Sequence, residues 1–351
     1  MFRQDRTNPS SAVSNWKGRK DTPKAWVSTA VSSWLNGGLF GGGIDLSGKA
    51  GYFLGGYGTG APQSIEQWTF PADVGTLLGI TLGQDSRNGA GFGNDGVAGY
   101  NGVGQGGGTD YFVTTVDKLT YATGALGALG TGLSAAANGL SAMSNVAVAG
   151  YVSQGNQSNT YVTTVDKFAY SGDSRTTLSS GLSSTRSYGM AFANSGTAGY
   201  IGGGYSYSGG YTFYTTVDKW AFSDDSRSTL GTGILSTQSF SPAGMANSGT
   251  AGYCLGGGTA VGTDTDSVTK FAFSDDSRTT LGTGLSAEAY YSAAMADSGV
   301  AGYNALSQSN GSGTDVMNKF AFSDDSRSTL ATVVERNLVP SAFANCSALS
   351  P

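Results

Sequence analysis

The chain has 351 residues, of which only 12% are charged, and a formal net charge of −5. That balance gives no field that would draw nucleic acid along its length, and no apolar run is long enough to span a membrane. Histidine is absent and cysteine occurs only as Cys254 and Cys346, which excludes Ser-His-Asp and Cys-His catalysis and a disulfide framework.

In chain order, residues 1–45 come first, and their chemistry sets them apart. Over residues 1–24, Arg3, Arg6, Lys17, Arg19, Lys20 and Lys24 stand against only Asp5 and Asp21, and Trp16, Trp26 and Trp34 fall within the segment too. Met1-Phe2-Arg3-Gln4-Asp5 leads into polar sequence without the apolar core of a signal peptide, so none is expected. The segment reads as an irregular arm with a glycine-rich linker. Trp and Arg dominate interface hot spots, so Trp16, Trp26, Trp34, Arg3, Arg6, Arg19 and Lys20 are its candidate docking residues.

Over 46–351 one unit repeats. Ala-Gly-Tyr recurs at Ala50, Ala98, Ala149, Ala198, Ala251 and Ala301, about fifty residues apart, the mark of a repeat architecture. Gln67 and then Lys118, Lys167, Lys219, Lys270 and Lys319 keep the same beat. In the fourth copy Arg186–Ala193 reads as an inner strand, Asn194-Ser195-Gly196 as a tight turn and Thr197–Ile201 as a second strand. Thr215–Phe222, rich in β-branched and aromatic residues, reads as a third strand. Ser223–Ser226 is a turn, and Arg227–Leu230 a short outer strand. Four antiparallel strands per repeat make one blade of an all-β propeller. Ala342-Phe343-Ala344-Asn345 copies Ala191-Phe192-Ala193-Asn194 with no second strand after it. It is therefore expected to complete the first blade and close a six-bladed ring. The alternative takes Leu39–Asp45 as the first inner strand and leaves a partial seventh blade.

The order of marks resembles the kelch repeat over about residues 46–350: an arginine in the inner strand, an aromatic and then paired glycines after strand two, and an aromatic in strand three. The resemblance implies architecture rather than activity, since such propellers host many functions. Leu77, Leu129, Leu178, Leu230, Leu281 and Leu330 stand where kelch repeats carry a tryptophan, so packing between blades must lean on strand-three aromatics. The turn Ser223-Asp224-Asp225-Ser226-Arg227, repeated from Ser274 and Ser323, also resembles a worn sialidase Asp-box. Its Asp and Ser are suited to capping their own turn. Too few oxygens converge there for calcium.

An enzyme is not expected, nor a metal or cofactor. The copper site of the kelch-type galactose oxidase needs histidine. Glutamate is confined to Glu66, Glu288 and Glu335. Arg87, Arg186 and Arg336, which could resemble a sialidase arginine cluster, match the structural kelch arginine as well. The lysine series reads as structural, each stem lying on a neighbouring blade and reaching an aspartate near a turn.

Antiparallel order puts the turns between strands one and two and between strands three and four on one face, and the remaining loops on the other. The first face repeats; the second varies, and variable loops on a fixed scaffold are where binding usually lives. Candidate contacts there are Tyr205, Tyr207, Tyr211, Phe213 and Tyr214 in the fourth copy, Tyr111 in the second, and Gln154, Asn156 and Asn159 in the third. Tyrosine offers rigid amphipathic area and amides offer hydrogen bonds, a pairing suited to sugars. With the basic Trp-bearing arm and the Gly, Ser, Thr and Tyr bias, the chain resembles tail or fibre components of tailed bacteriophages. That resemblance implies a virion protein in several copies. Its arm would dock on other virion proteins, and its loops would touch host surface glycan or protein. The alternatives are a purely structural tail or capsid decoration and a glycan-cleaving propeller.

Overall fold

The computed structural model describes Ile44, Leu46 and residues 48–345, apart from 57–61, 107–110, 260–262, 306–307, 310–311, 314–315 and 331–340. The docking candidates Trp16, Trp26, Trp34, Arg3, Arg6, Arg19 and Lys20, together with Arg336 and Cys346, lie outside the described residues. The chain divides between Ile44 and Asp45, and every described strand falls in Asp45–Pro351.

Those strands form a six-bladed β-propeller of four-stranded antiparallel blades. Blade four runs from the inner strand Met190–Asn194 through Ala198–Gly202 and Val217–Ala221 to the outer Arg227–Thr229. Blades two, three, five and six repeat this over 90–128, 141–177, 243–280 and 293–330. Blade one is built from both ends of the ring: Ala50–Leu54, Ile65–Thr69 and Val74–Leu77 are joined by Ser341–Asn345 as inner strand. Ala342 pairs with Phe53, and Ala344 with Gly51. The C-terminal strand therefore closes the ring at six blades. Ile44, the one described residue of the competing Leu39–Asp45 strand, is in no strand.

The largest boundary difference from expectation is in the inner strand, the others shifting by one or two residues. The inner strand of blade four starts at Met190, not Arg186, because Tyr188 adopts φ 57° and breaks the extended run.

The Ala-Gly-Tyr tripeptide is the wedge between blades. The second strand is buried along its whole length, while the outer strand is mostly exposed. Its glycine admits the inner-strand side chain of the preceding blade. A Cβ on Gly252 would meet the Phe192 ring at 2.2 Å, and one on Gly150 would meet the Phe92 ring at 2.0 Å. Methionine fills the same role at Gly199, where Met143 Sδ would lie 2.2 Å away. The tyrosine is buried and stacks on an aromatic of the following blade: Tyr200 on Phe273, Tyr253 on Phe322 and Tyr303 on Phe70. Five of the leucines that stand for the kelch tryptophan, from Leu129 to Leu330, pack partly buried on the cores, while Leu77 is exposed.

A polar latch sits beside each stack. Lys219 Nζ lies 2.7 Å from Asp276 in the next blade, and Tyr200 Oη donates to the other oxygen of that carboxylate at 2.8 Å. The ammonium also lies 5.2 Å from the centre of the Tyr200 ring. The same trio recurs with Lys118, Tyr100 and Asp173, with Lys167, Tyr151 and Asp225, and with Lys270, Tyr253 and Asp325. Lys319, Tyr303 and Asp73 form it across the ring closure. The lysines therefore do reach aspartates near turns. Between blades one and two both ends of the ion pair are replaced: Gln67 stands for lysine, and Gly124 occupies the left-handed position held elsewhere by aspartate. There Gln67 donates to Tyr52 Oη at 3.1 Å.

The paired aspartates of the turns divide their work. The first caps its own turn, as Asp224 accepts from the Ser226 amide at 3.0 Å. The second, such as Asp225 at φ 58°, turns outward into the latch. Nearer the axis, the turns between strands one and two are stitched blade to blade. Asn145 accepts from Gly196 N, Asn194 from Gly249 N and Asn247 from Gly299 N, all at 2.8–2.9 Å.

Candidate binding face

The loop face carries the aromatic residues that the sequence singles out, and it sorts them. After strand two of blade four, Gly203 and Gly204 take φ 68° and 83° and swing the chain into a small hairpin, Tyr205–Tyr207 paired with Tyr211–Phe213. Ser187 and Tyr205 exchange backbone hydrogen bonds at 2.9 and 3.0 Å, tying the hairpin to the loop that enters the blade. The alternation of a strand then separates the side chains.

Tyr205 points inward and is buried. Its ring stacks on Tyr188 at 5.5 Å with the planes parallel, and packs on Phe240 at 5.2 Å. Tyr161 of blade three and Tyr290 and Tyr291 of the loop entering blade six complete the cluster. Tyr188 and Tyr291 meet edge-on at 5.3 Å, although blade five lies between their blades. Loops of blades three to six thus share one aromatic platform.

Tyr207 and Tyr211 sit on its rim, 51% and 53% exposed, and meet each other edge-on at 5.0 Å. Tyr211 also stacks on the half-buried Phe213. Tyr214 is half-buried, its hydroxyl 3.0 Å from Ser206 Oγ and its ring 5.8 Å from the Arg186 guanidinium. Burial pushes the phenols of Tyr205 and Tyr291 above the ordinary tyrosine value. The platform is therefore neutral and holds its protons at any physiological pH.

The other candidates scatter. Tyr111 is 69% exposed on the hairpin of blade two. Asn159 is exposed at the tip of the blade-three hairpin, with φ 71°. Asn156 is half-buried and exchanges backbone bonds with Asn138. Gln154 is placed inside the blade, not on the face. It is fully buried, its amide donates to Asp166 and Ser134, and its carbonyl accepts from Gln157.

Tyr161, Tyr188, Phe240, Tyr290 and Tyr291 were not singled out from the sequence. Their signal was present: Tyr188 and Tyr291 occupy the same repeat position, where the other copies hold Asn88, Gly139 and Ser241. Asn88, Gly139, Tyr188, Ser241 and Tyr291 all take positive φ there, a conformation unusual for a bulky side chain. Two tyrosines held there mark a place where the fold sustains local strain, a habit of functional sites.

Arg87 and Arg186 do not form a shared cluster. Arg87 lies 3.5 Å from Asp85, and Arg186 is buried against Asp218 in blade four. Among the described residues no three metal-ligating side chains come together. Cys254 is wholly buried, and burial pushes its thiol up to about 12. The axial channel is lined by small side chains, including Ala142, Ala191 and Gly244, and opens on the turn side into a cavity of about 390 Å³. No protein-family model matches the chain, and no curated protein is significantly similar to it.

Proposed function

We propose that this chain is a non-enzymatic binding propeller of a tailed-phage virion. It holds a neutral, hydroxyl-rich ligand, a host surface glycan, on the aromatic rim of its loop face. The observation that carries the reading is the pair Tyr207 and Tyr211, about half exposed and mounted on the buried platform of Tyr205, Tyr188 and Phe240. Rings fixed from beneath lose little entropy on binding. Their faces take the C–H side of a sugar, while the hydroxyls nearby take its polar groups. Low charge and neutral phenols favour an uncharged ligand over an anion. The kelch-like order of marks and the glycine- and serine-rich loops support the virion setting, and the basic arm at 1–45 would join the ring to other virion proteins.

The structural alternative has one observation of its own. Val97, Val148 and Val300 stand about half exposed at equivalent turns of the opposite face in blades two, three and six, apolar points suited to stacking on a neighbour. Glycan-array binding and host-cell adsorption with Tyr207→Ala/Tyr211→Ala separate the two readings. The glycan reading expects binding to fall at least about tenfold, the cost of losing stacked aromatic anchors, with melting temperature unchanged. Undiminished adsorption by a folded double variant would refute it.

A further inference from the structure

The repeat supplies its own internal comparison for a second site, independent of the aromatic face. In blade four the buried Arg186 donates to Asp218 and to Thr216, at 2.6 Å to Oγ1 and 3.2 Å to the carbonyl. The other oxygen of Asp218 takes Thr229 at 2.7 Å and Arg227 at 3.3 Å, and Ser183 adds two further bonds. In blade three Asp166 is met by Ser134, Gln154 and Thr177. In blade one Glu66 accepts from Trp68 Nε1 at 2.7 Å. Blades five and six place neutral Thr269 and Asn318 at this position.

Blade two keeps the acid and loses its partners. Asp117 pairs across the sheet with Ala128, as Asp218 pairs with Thr229, and Leu126 stands at the register of Arg227. Ser86 stands where blade four has Arg186, each two residues before the left-handed Asn88 or Tyr188. Gly83 replaces Ser183. Asp117 is 3% exposed, and its Oδ2 is buried without a hydrogen bond. Thr115, the counterpart of Thr216, is retained. Asp117 and Thr115 line a cavity of about 350 Å³, with Thr81 and Gln84 on one side and Leu126 and Ala128 on the other. Ala128, Thr81 and Gly83 are exposed, so the cavity opens at the rim of the blade.

We propose that this cavity binds a guanidinium group, with the Asp117 carboxylate and Thr115 as acceptors. The chain already builds that contact once, from Arg186, Asp218 and Thr216; blade two presents the acceptor half to a donor from outside. A planar fork that donates from several N–H groups suits a carboxylate beside a hydroxyl better than a compact ammonium does, and Leu126 flanks the alkyl stem. One carboxylate with hydroxyls falls short of a calcium shell. Burial raises the Asp117 carboxyl above its ordinary value, as expected of an acid lacking its cation.

The guanidinium can belong to a free small molecule or to an arginine of a polypeptide. The full-length chain is titrated calorimetrically with N-acetyl-arginine methylamide, its citrulline analogue, and a Gly-Ser peptide bearing one arginine. Saturable binding of an arginine probe but not of citrulline is expected, with a loss of about tenfold or more in Asp117→Asn, the cost of a charged hydrogen bond. Leu126→Arg/Ala128→Thr rebuilds the partners that Asp218 has, on a largely exposed strand. It should raise the melting temperature and abolish binding, which shows that a folded protein has lost the site. A peptide that binds about tenfold tighter than the single residue assigns the guanidinium to a polypeptide; equal affinities assign it to a small molecule. Binding unchanged in Asp117→Asn, or no saturable binding of either arginine probe, overturns the proposal.

Discussion

The two faces of the ring are made by the same strands and follow opposite rules. On the turn face the polar contacts between blades repeat: the latches and the asparagine stitches recur with distances constant to about a tenth of an ångström. On the loop face, copies diverge in length and chemistry, and among the described residues blades three to six combine into one aromatic platform. A side chain committed to the same partner at one junction after another has no freedom to meet a ligand. Divergence is tolerated where the next blade does not depend on it. Substitutions on the turn side should therefore move stability without touching binding, and those on the loop rim should do the reverse.

The largest effect is expected between the faces, in the wedge itself. Gly252→Ala drives a Cβ into the Phe192 ring, and a stiff ring in a packed interface cannot yield; a loss of about 3 kcal/mol is expected. Gly199→Ala meets the flexible Met143 instead and should cost about 1 kcal/mol. Chemical denaturation of the two variants checks the order, and equal costs would break the account of the wedge. The latch comes next. Asp276→Ala leaves Lys219 and the buried Tyr200 without their acceptor, the lysine and the aspartate each being about a quarter exposed. A loss of about 2 kcal/mol is expected, with glycan binding unaffected.

How much of this was legible in the sequence follows from how local each feature is. The strands, the turns and the closure by Ala342–Asn345 rest on patterns within one repeat, so a single chain displays them. The first aspartate of each turn could also be read, because it caps an amide two residues away. That the lysines reach an aspartate near a turn was legible too, but the second aspartate, the one they reach, looked identical to the first. Its partners, Tyr200 and Lys219 for Asp276, lie 76 and 57 positions distant, and only the curvature of the ring brings them together. The same holds for Tyr188 and Tyr291, which meet from non-neighbouring blades, and for the glycine of Ala-Gly-Tyr, whose reason is a side chain in the preceding copy. Gln154 failed in the other direction: a loop amide with the composition of a contact residue was drawn inward by the buried charge of Asp166.

The weakest junction offers a gain rather than a loss. Gln67→Lys with Gly124→Asp installs the missing latch between blades one and two. Aspartate already holds the matching φ of about 57° in other copies, so the backbone is suited to it. The double variant should gain about 1 kcal/mol over the wild type, and neither single change should match it. A double-mutant cycle showing no coupling would mean that the remaining latches are ornament to the aromatic stacks.

The smallest effect separates the paired aspartates themselves. Hydrogen bonds from Ser226, Ser277 and Ser326, first from the side chain and then from the backbone, hold Asp224, Asp275 and Asp324 below the ordinary carboxylate value. A depressed folded value stabilises the protein because the folded carboxyl gives up its proton more readily than the unfolded one. The contribution is complete above the ordinary value and is lost as pH falls through the depressed one. These groups are fully exposed, so the shift in melting temperature should be slight. Comparing the wild type with Asp224→Ala/Asp275→Ala/Asp324→Ala across an acid titration, the gap should be widest near neutrality and close in acid. A gap that persists below the folded value would show that the alanines disturb turn conformation rather than charge, and that the capping aspartates share the structural weight of their latch neighbours.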